Sequence, residues 1–455
     1  MAEPEVAAVV VGAGVAGLGA ALELQRESSE VLVIDESDRP GGALRTDHID
    51  GYVIERGANT VLVKAPMLEL FRRLKLDTTL LRAMPESRSR FVFRNGRLEP
   101  VPDSLLALLS TPLLSARGKA RLLAEPFIRR GKGSGESVAE FFGRRLGVEV
   151  VRNLIGPFLT GVYAGDEFQL GAGAVFERAV TLERRFGSIV LGGALGWRPA
   201  RARGLRGSHA TVEGLGPLAR KLAERLSEPP ALNSRVTELR ADGRHWRVSI
   251  VGPGGDRQLR ARRVVLATPA YVSAAILAES AADAASALAE IVYAPIVGVP
   301  MAVDPGAFRS PIEGFGFLVP REAGIRLLGS LYMSRIFPNR APAGRALIQC
   351  MIGGMRWREA VDLPDDVVLH EVHADLDRIL GLRSEPRALA VTRWSRAIPQ
   401  PDRDHVRRIG GIREAVAALP GVALAGGYLD GIGVSDALAS GIRAARELMR
   451  EGPSA

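Results

Sequence analysis

Val9-Val10-Val11-Gly12-Ala13-Gly14-Val15-Ala16-Gly17-Leu18, followed after an amphipathic stretch by Val31-Leu32-Val33-Ile34-Asp35, is the part of the chain that decides the fold. An apolar run, a glycine turn, a helical period and a second apolar run ending in a carboxylate read as strand, turn, helix and strand. Gly12 and Gly14 allow a turn too tight for a side chain and let the backbone approach a pyrophosphate, while Gly17 lets the helix pack on the strand. The helix start at Val15 and Ala16 offers unpaired N–H groups and a positive dipole to phosphates. Asp35, with Glu36 beside it, comes about 20 residues on, where an acid hydrogen-bonds a ribose hydroxyl. The reading is a dinucleotide site in a Rossmann-like α/β domain.

Arg39-Pro40-Gly41-Gly42-Ala43-Leu44-Arg45-Thr46 follows at once and resembles the second fingerprint of the glutathione-reductase-like flavoproteins. In that group paired glycines bring a second backbone segment against the same cofactor, so the resemblance implies FAD rather than NAD. It makes Gly42 and Ala43 cofactor candidates and Arg45 a candidate partner for the pyrophosphate. Near the other end, Val422-Ala423-Leu424-Ala425 reads as a short buried strand, Gly426 to Gly433 as a glycine-rich turn and Val434 to Met449 as a helix. That helix would point its N-terminus at a ligand, which places Gly426, Ile432, Gly433 and Val434 among the cofactor candidates. Beside a flavin its dipole would favour negative charge on the reduced ring by about 1 kcal/mol.

With 455 residues, 47% of them hydrophobic, the chain has material for two or three domains. Met1 leads through a few residues, two of them acidic, into the first strand, so no secretory signal is expected and a cytoplasmic setting is. The most apolar region, Val264 to Val303, is broken by Glu279, Asp283, Glu290 and three prolines, which argues against a spanning helix. The single cysteine, Cys350, excludes an internal disulfide, a cysteine-rich metal site and a CxxC redox pair, and no metal site is expected. The net charge of +9 comes from arginines spread along the chain without a nucleic-acid-binding signature, so no nucleic acid is expected as a partner.

The fold class expected is α/β: a Rossmann-like FAD-binding domain, a mixed α/β substrate domain and an inserted helical domain. The expected division assigns residues 1–85, 206–269 and 391–455 to the FAD domain, 86–205 to the helical insertion and 270–390 to the substrate domain. The insertion carries amphipathic segments at Ser104 to Arg130 and Ser137 to Gly147, with Met67 to Leu76 before them. Strands are expected at Leu232 to Leu239, Trp246 to Val251, Ile325 to Tyr332 and Ala346 to Ile352, and helices at Ala281 to Ile291 and Asp365 to Leu380.

With a flavin signature at both ends, the segments between become readable. They are Glu55-Arg56-Gly57-Ala58-Asn59, Ser89-Arg90-Phe91-Val92-Phe93-Arg94-Asn95-Gly96-Arg97-Leu98, Thr160-Gly161-Val162-Tyr163-Ala164-Gly165-Asp166 and Gly314-Phe315-Gly316-Phe317-Leu318-Val319-Pro320. Phe337-Pro338-Asn339-Arg340-Ala341-Pro342, Ile398-Pro399-Gln400 and Tyr428-Leu429-Asp430-Gly431-Ile432-Gly433-Val434 follow in the same order. Together they resemble the protoporphyrinogen oxidases, the oxygen-dependent flavoenzymes of haem synthesis, over nearly the whole chain. The resemblance implies removal of six electrons from a porphyrinogen in three two-electron steps, with molecular oxygen reoxidising FAD and yielding hydrogen peroxide. It also explains why the chain has no Ser/His/Asp grouping, no HExxH and no cysteine nucleophile, because a flavin supplies the hydride acceptor.

The resemblance assigns Arg90 to a substrate propionate, which a guanidinium clasps through two parallel hydrogen bonds. It assigns Leu318, Leu331 and Met351 to a sandwich around the macrocycle, Asn59 to the meeting of flavin and substrate, and Gly165 to the slot entrance. On the cofactor side it adds Gly57, Ala58, Asn59 and Thr60, and Val236 against the adenine. Three departures stand out: Asp35 replaces the family's glutamate, Pro401 its tyrosine, and Asp404-His405 its Gly-His, with His405 read as a loop histidine. A coproporphyrinogen III oxidase of the same family, a flavin amine oxidase and a non-catalytic porphyrin or FAD binder are the alternatives. Ala425-Gly426 followed by Gly427, with no cysteine nearby, argues against the amine oxidase. Leucines and basic residues between Leu105 and Arg130 suit anionic headgroups, so peripheral contact with the cytoplasmic face of a membrane is expected, and the family suggests a homodimer.

Overall fold

A parallel strand pair, Glu5–Val11 beside Val31–Ile34, forms around the opening apolar runs, with the Val15–Leu24 helix packed between turn and sheet. Residues 4–131, 135–195 and 204–450 are described in the computed structural model. The expected end of the insertion at 205 follows residues 196–203, which lie outside them. The first sheet has six strands. Arg257–Leu266 joins Glu5–Val11 in parallel, and it pairs on its other side with His245–Val251, antiparallel, at one end and Val422–Leu424, parallel, at the other. Segments remote in sequence therefore build one sheet. The strand expected from Leu232 starts only at Arg235, because residues 231–234 bond instead along the end of Val31–Ile34 and the turn after it (Ala231 N to Val33 O, Ser234 N to Asp35 O).

The second sheet has eight strands and mixes segments from three of the expected divisions. Its path runs Arg387–Ala388, Tyr293–Val303, Ala346–Gly353, Leu327–Leu331, Gly316–Leu318, Arg90–Arg94 and Arg97–Pro100, with Thr392–Pro399 also pairing with Tyr293–Val303. Two expected boundaries need correction. The Arg90–Pro100 hairpin, placed in the helical insertion beginning at residue 86, belongs to the substrate sheet because Arg90–Arg94 pairs in parallel with Gly316–Leu318. Thr392–Pro399, placed in the FAD domain from residue 391, also belongs to it, through antiparallel pairing with Tyr293–Val303. One face of this sheet buries Val297, Val299, Phe317, Ile348, Cys350 and Ile352 against Val368, Val372 and Leu376 of the Asp365–Leu380 helix.

The insertion is helical, with short elements. Ser104 to Arg130 does not form one amphipathic helix. Thr111-Pro112 ends Leu105–Ser110, Ser115 caps Ala116–Leu123, and Pro126 sits in a single 3-10 turn, Glu125–Phe127. Proline removes a helix donor and disfavours helical backbone in the residue before it. Ser137 caps Val138–Arg145 with Glu140 in a reciprocal capping box. A fully buried Arg145–Glu125 pair ties these segments together, and Ser188 also donates to the Glu125 carboxylate.

Candidate active site

The cofactor cradle is made of backbone. Gly12 N donates to Ile34 O at 2.7 Å, and Gly14 ends the turn in extended conformation as the N-cap of Val15–Leu24, with no side-chain cap and no acid in the first turn. A Cβ on Gly17 would overlap the carbonyl oxygen of Gly12, whereas one on Gly14 would meet no atom within 4 Å. The second fingerprint lies directly on this turn: Gly41 N donates to Ala13 O at 2.8 Å, and a Cβ on Gly42, where φ is +57°, would come within 3.3 Å of Gly14 Cα. Ala43 in turn meets Gly57, whose Cβ would overlap the Ala43 carbonyl.

The segment from Gly57 through Ala58, Asn59 and Thr60 then runs to Lys64, whose N–H donates to Ser435 Oγ at 3.0 Å at the start of the Val434–Arg450 helix. The glycine turn before that helix contains one helical turn, Gly427–Asp430, with Gly426 and Gly431 at φ of +154° and +150°. Gly12, Gly14, Val15, Ala16, Gly17, Gly42, Ala43, Gly57, Ala58, Asn59, Thr60, Ile432, Gly433 and Val434 thus line converging backbone segments.

Asp35 departs from simple readiness for a ribose. Its Oδ2 accepts from Ala13 N at 2.5 Å and its Oδ1 from Ser37 N at 2.8 Å, so the short acid braces the glycine turn while each oxygen keeps a lone pair. Glu36 is exposed beside it. Val236 is buried next to the 231–234 segment that follows the Asp35 strand end. Arg45 is held in a loose pair with Asp47 (3.8 Å), which Arg56 also approaches at 3.2 Å. Burial and the neighbouring Arg45 lower the pKa of Arg39, the third guanidinium of this group.

The opposite face of the eight-stranded sheet forms a shelf. Register aligns Arg90, Gly316, Leu331 and Gln349 in one row and Val92, Leu318, Gly329 and Met351 in the next. Leu318, Leu331 and Met351 are only partly buried while most of their strand neighbours are fully buried. Gly316 and Gly329 leave the strands between them without side chains. Arg90 stands exposed at the edge, its guanidinium 4.7 Å from the centre of the Phe315 ring. The Gly156–Tyr163 helix lies over the shelf with Gly161 against Leu318.

Gly165 is not on the shelf. Left-handed Ala164 (φ 48°) turns the chain away, and Gly165 is buried with a would-be Cβ 2.6 Å from Leu170 Cδ1 and 2.7 Å from Gln400 Oε1. His405 is likewise no loop residue: it opens the His405–Ala417 helix and is buried.

Cradle and shelf are joined by a buried pair that the sequence reading did not single out. Glu55, directly before Arg56 and Gly57, accepts from Thr46 Oγ1 at 2.7 Å and Leu215 N at 3.0 Å and faces Arg340 Nη2 at 3.4 Å. Both side chains are fully buried. Burial pushes the Glu55 carboxyl up to about 7, outweighing Thr46 and Arg340, and burial also lowers Arg340. Trp394 of the substrate sheet donates to Arg56 O at 2.8 Å, and Lys64 pairs with Asp436 at 2.5 Å. Apart from Thr46, the hairpin partner of Glu55, no local pattern marks these partners, because each of the other contacts crosses a long stretch of sequence.

The cradle fits FAD. The uncapped helix start, the open space at Gly14 and the buried Asn59 Oδ1 without a protein partner are what a pyrophosphate and a ring with polar edges would complete. A family model for flavin containing amine oxidoreductases matches residues 15–449. The chain is 32% identical to a chloroplastic protoporphyrinogen oxidase of Nicotiana tabacum, covering 98% of this chain and 85% of the relative. It is 29% identical to the coproporphyrinogen III oxidase of Bacillus subtilis (strain 168), covering 95% and 96%. A crystal structure from Exiguobacterium sp. 255-15, provisionally assigned as a protoporphyrinogen oxidase, superposes with a TM-score of 0.82 at 26% identity over 99% of this chain and 100% of that one. Reduced UDP-galactopyranose mutase, 15% identical with a TM-score of 0.73 over 98% and 96%, shares the fold. The chain therefore belongs to the flavin containing amine oxidoreductase family, alongside the protoporphyrinogen oxidases, and is an FAD-dependent oxidoreductase.

Proposed function

We propose that this enzyme oxidises protoporphyrinogen IX to protoporphyrin IX in three two-electron steps, with oxygen as acceptor and hydrogen peroxide as co-product. The observation that carries the reading is the shelf: three partly buried apolar side chains in register around glycines, with the exposed guanidinium of Arg90 at the edge. A flat apolar macrocycle suits that surface, and a propionate suits Arg90. FAD, when bound, supplies the hydride acceptor. The residues given to the shelf need only bind, orient and exclude water, which agrees with Leu318, Leu331, Met351 and Asn59, none of which can act as a general base. Burying the three apolar side chains against a ring would contribute about 1.5–3 kcal/mol each at most, against roughly 1.5–3 kcal/mol for the carboxylate clasp.

The Bacillus relative, matched over nearly its full length, favours coproporphyrinogen as the second reading. Oxygen-dependent porphyrin fluorescence from freshly reduced protoporphyrinogen and coproporphyrinogen, each corrected for autoxidation, decides between them. Faster turnover of the first is expected; faster turnover of the second replaces it, and turnover of neither by FAD-loaded protein removes both.

The same reading includes a peripheral membrane contact. Phe127 is 88% exposed and Leu106 and Leu123 are also exposed, beside Arg117, Lys119 and Arg129. Among the described residues no helix is long and apolar enough to cross a membrane. Flotation with anionic liposomes at low salt tests the contact.

A further inference from the structure

A second cavity, of about 710 Å³, is separated from the shelf by the Gly156–Tyr163 helix: Gly161 of this helix touches Leu318 on the shelf, while Tyr163 lines the cavity. One wall comes from the helical insertion at Gly173, the other from the His405–Ala417 helix at His405 and Gly410 and from the turn ending at Ile432. None of Arg90, Leu318, Leu331 and Met351 reaches it, whereas Ile432 is common to the cavity and the cofactor cradle. His405 is 7% exposed, and its Nδ1 has no partner in the protein. Burial holds the imidazole neutral by lowering its pKa, so one ring nitrogen is free to accept from a water. A buried polar atom in a roomy cavity is normally satisfied that way.

The proposed reaction gives this space a task. Each macrocycle is oxidised three times, so oxygen must reach the flavin three times. A macrocycle lying on the shelf obstructs that approach. We propose that the cavity is the separate passage by which dioxygen reaches the flavin and hydrogen peroxide leaves while the shelf is occupied. Per passage, O2 would take two electrons and one proton from the anionic reduced flavin and a second proton from water held in the cavity, giving H2O2 and oxidised flavin. The hydroxide left behind is neutralised by the proton that the porphyrinogen releases when it gives its hydride to the flavin. This inference rests on the oxidase reading of the site.

Gly173 and Gly410 provide the test, since a Cβ on either would meet nothing within 4 Å and both lie in helices, where replacing glycine raises helix propensity. In the FAD-loaded Gly173→Phe/Gly410→Phe protein, reoxidation of photochemically reduced flavin by oxygen should slow about tenfold, as expected for obstructed access to a bimolecular step. Oxygen quenching of the bound flavin's fluorescence lifetime should weaken in parallel. FAD content, thermal unfolding and anaerobic reduction by porphyrinogen should stay at wild-type values. The single Gly410→Leu protein should show a smaller decrease in the same direction, and it serves if the double variant does not fold. Unchanged reoxidation and quenching overturn the passage, as does an equal slowing of both half-reactions, which indicates a distorted flavin site. Photochemical reduction needs no porphyrinogen, so a wrong substrate appears separately, as failure of anaerobic reduction with reoxidation still measurable.

Discussion

The cofactor cradle and the substrate shelf face the same reaction but are built from different material. The cradle is backbone held against backbone: Gly17 on Gly12, Gly42 on Gly14, Gly57 on Ala43, with no room for a Cβ at Gly17 or Gly57. The shelf is side chain on strand: Leu318, Leu331 and Met351 projecting from a sheet whose opposite face is packed on the Asp365–Leu380 helix. A backbone site tolerates almost no substitution, because what moves is the chain itself. A side-chain site is graded, because each residue contributes its own area or charge and its neighbours remain.

The sharpest break of the comparison is at Gly17. Gly17→Val should cost more than about 3 kcal/mol and abolish FAD retention, since the side chain displaces the turn from the helix. Purified variant protein should be colourless, and titration with FAD should not restore flavin absorbance. Retention of the cofactor would mean that the turn yields, and the distinction between the two regions would lose its basis.

Next in size is the pair that joins the regions. Arg340→Ala leaves Glu55 buried without its cation and should lower stability by about 3–5 kcal/mol in thermal or denaturant unfolding. The Glu55 carboxyl is raised from 4.5 to about 7 by burial, so the folded protein holds a proton that the unfolded chain has lost. Its contribution is complete below about pH 4.5 and is lost as pH rises through about 7, with a slope of about 1.4 kcal/mol per pH unit for one proton. Glu55→Gln should remove that part of the pH dependence between these limits. An unchanged slope would show that Arg340 keeps Glu55 ionised throughout.

The same contrast explains what could be read from the sequence. A backbone site has to be written in glycine at fixed spacing, so Gly12, Gly14, Gly17 and Gly42 announce the cradle locally. On the shelf, Leu318 and Met351 alternate with Phe317 and Cys350, which are buried on the other face, and any periodicity argument takes all four for core. Only the resemblance separated them. The misplaced boundaries have a similar origin: Arg90 pairs with Gly316, and Thr392 with Gly298, through registers that neither segment encodes alone. Gly165 follows the left-handed turn at Ala164, a residue with no special preference for it, so nothing local marks its burial against Leu170 and Gln400.

Arg90 and Met351 sharpen the comparison within the shelf. Arg90→Ala should raise KM for the porphyrinogen about 10–100-fold, matching a charge-assisted pair worth roughly 1.5–3 kcal/mol, with kcat changing less and FAD content unchanged. Met351→Ala should weaken binding by about 1–2 kcal/mol, because Met351 is only partly buried on the shelf and its truncation leaves no closed cavity. Neither change should alter flavin absorbance, in contrast to Gly17. Loss of FAD in either variant would mean that shelf and cradle are one unit.

The smallest expected effect lies where a helix meets the shelf. A Cβ on Gly161 would collide with the end of the Leu318 side chain, a flexible neighbour, and not with backbone. Gly161→Ala should therefore fold, rotate Leu318 toward the macrocycle and raise KM by a few-fold, the equivalent of about 1 kcal/mol of overpacking. Combining it with Leu318→Val removes the colliding methyl group, so the double variant should regain most of the affinity lost by Gly161→Ala. That recovery distinguishes a shelf narrowed by one rotamer from a helix pushed off the sheet, because a displaced helix would keep KM high whatever residue stood at 318. It would also show that the shelf, unlike the cradle, can be repaired from the opposite wall.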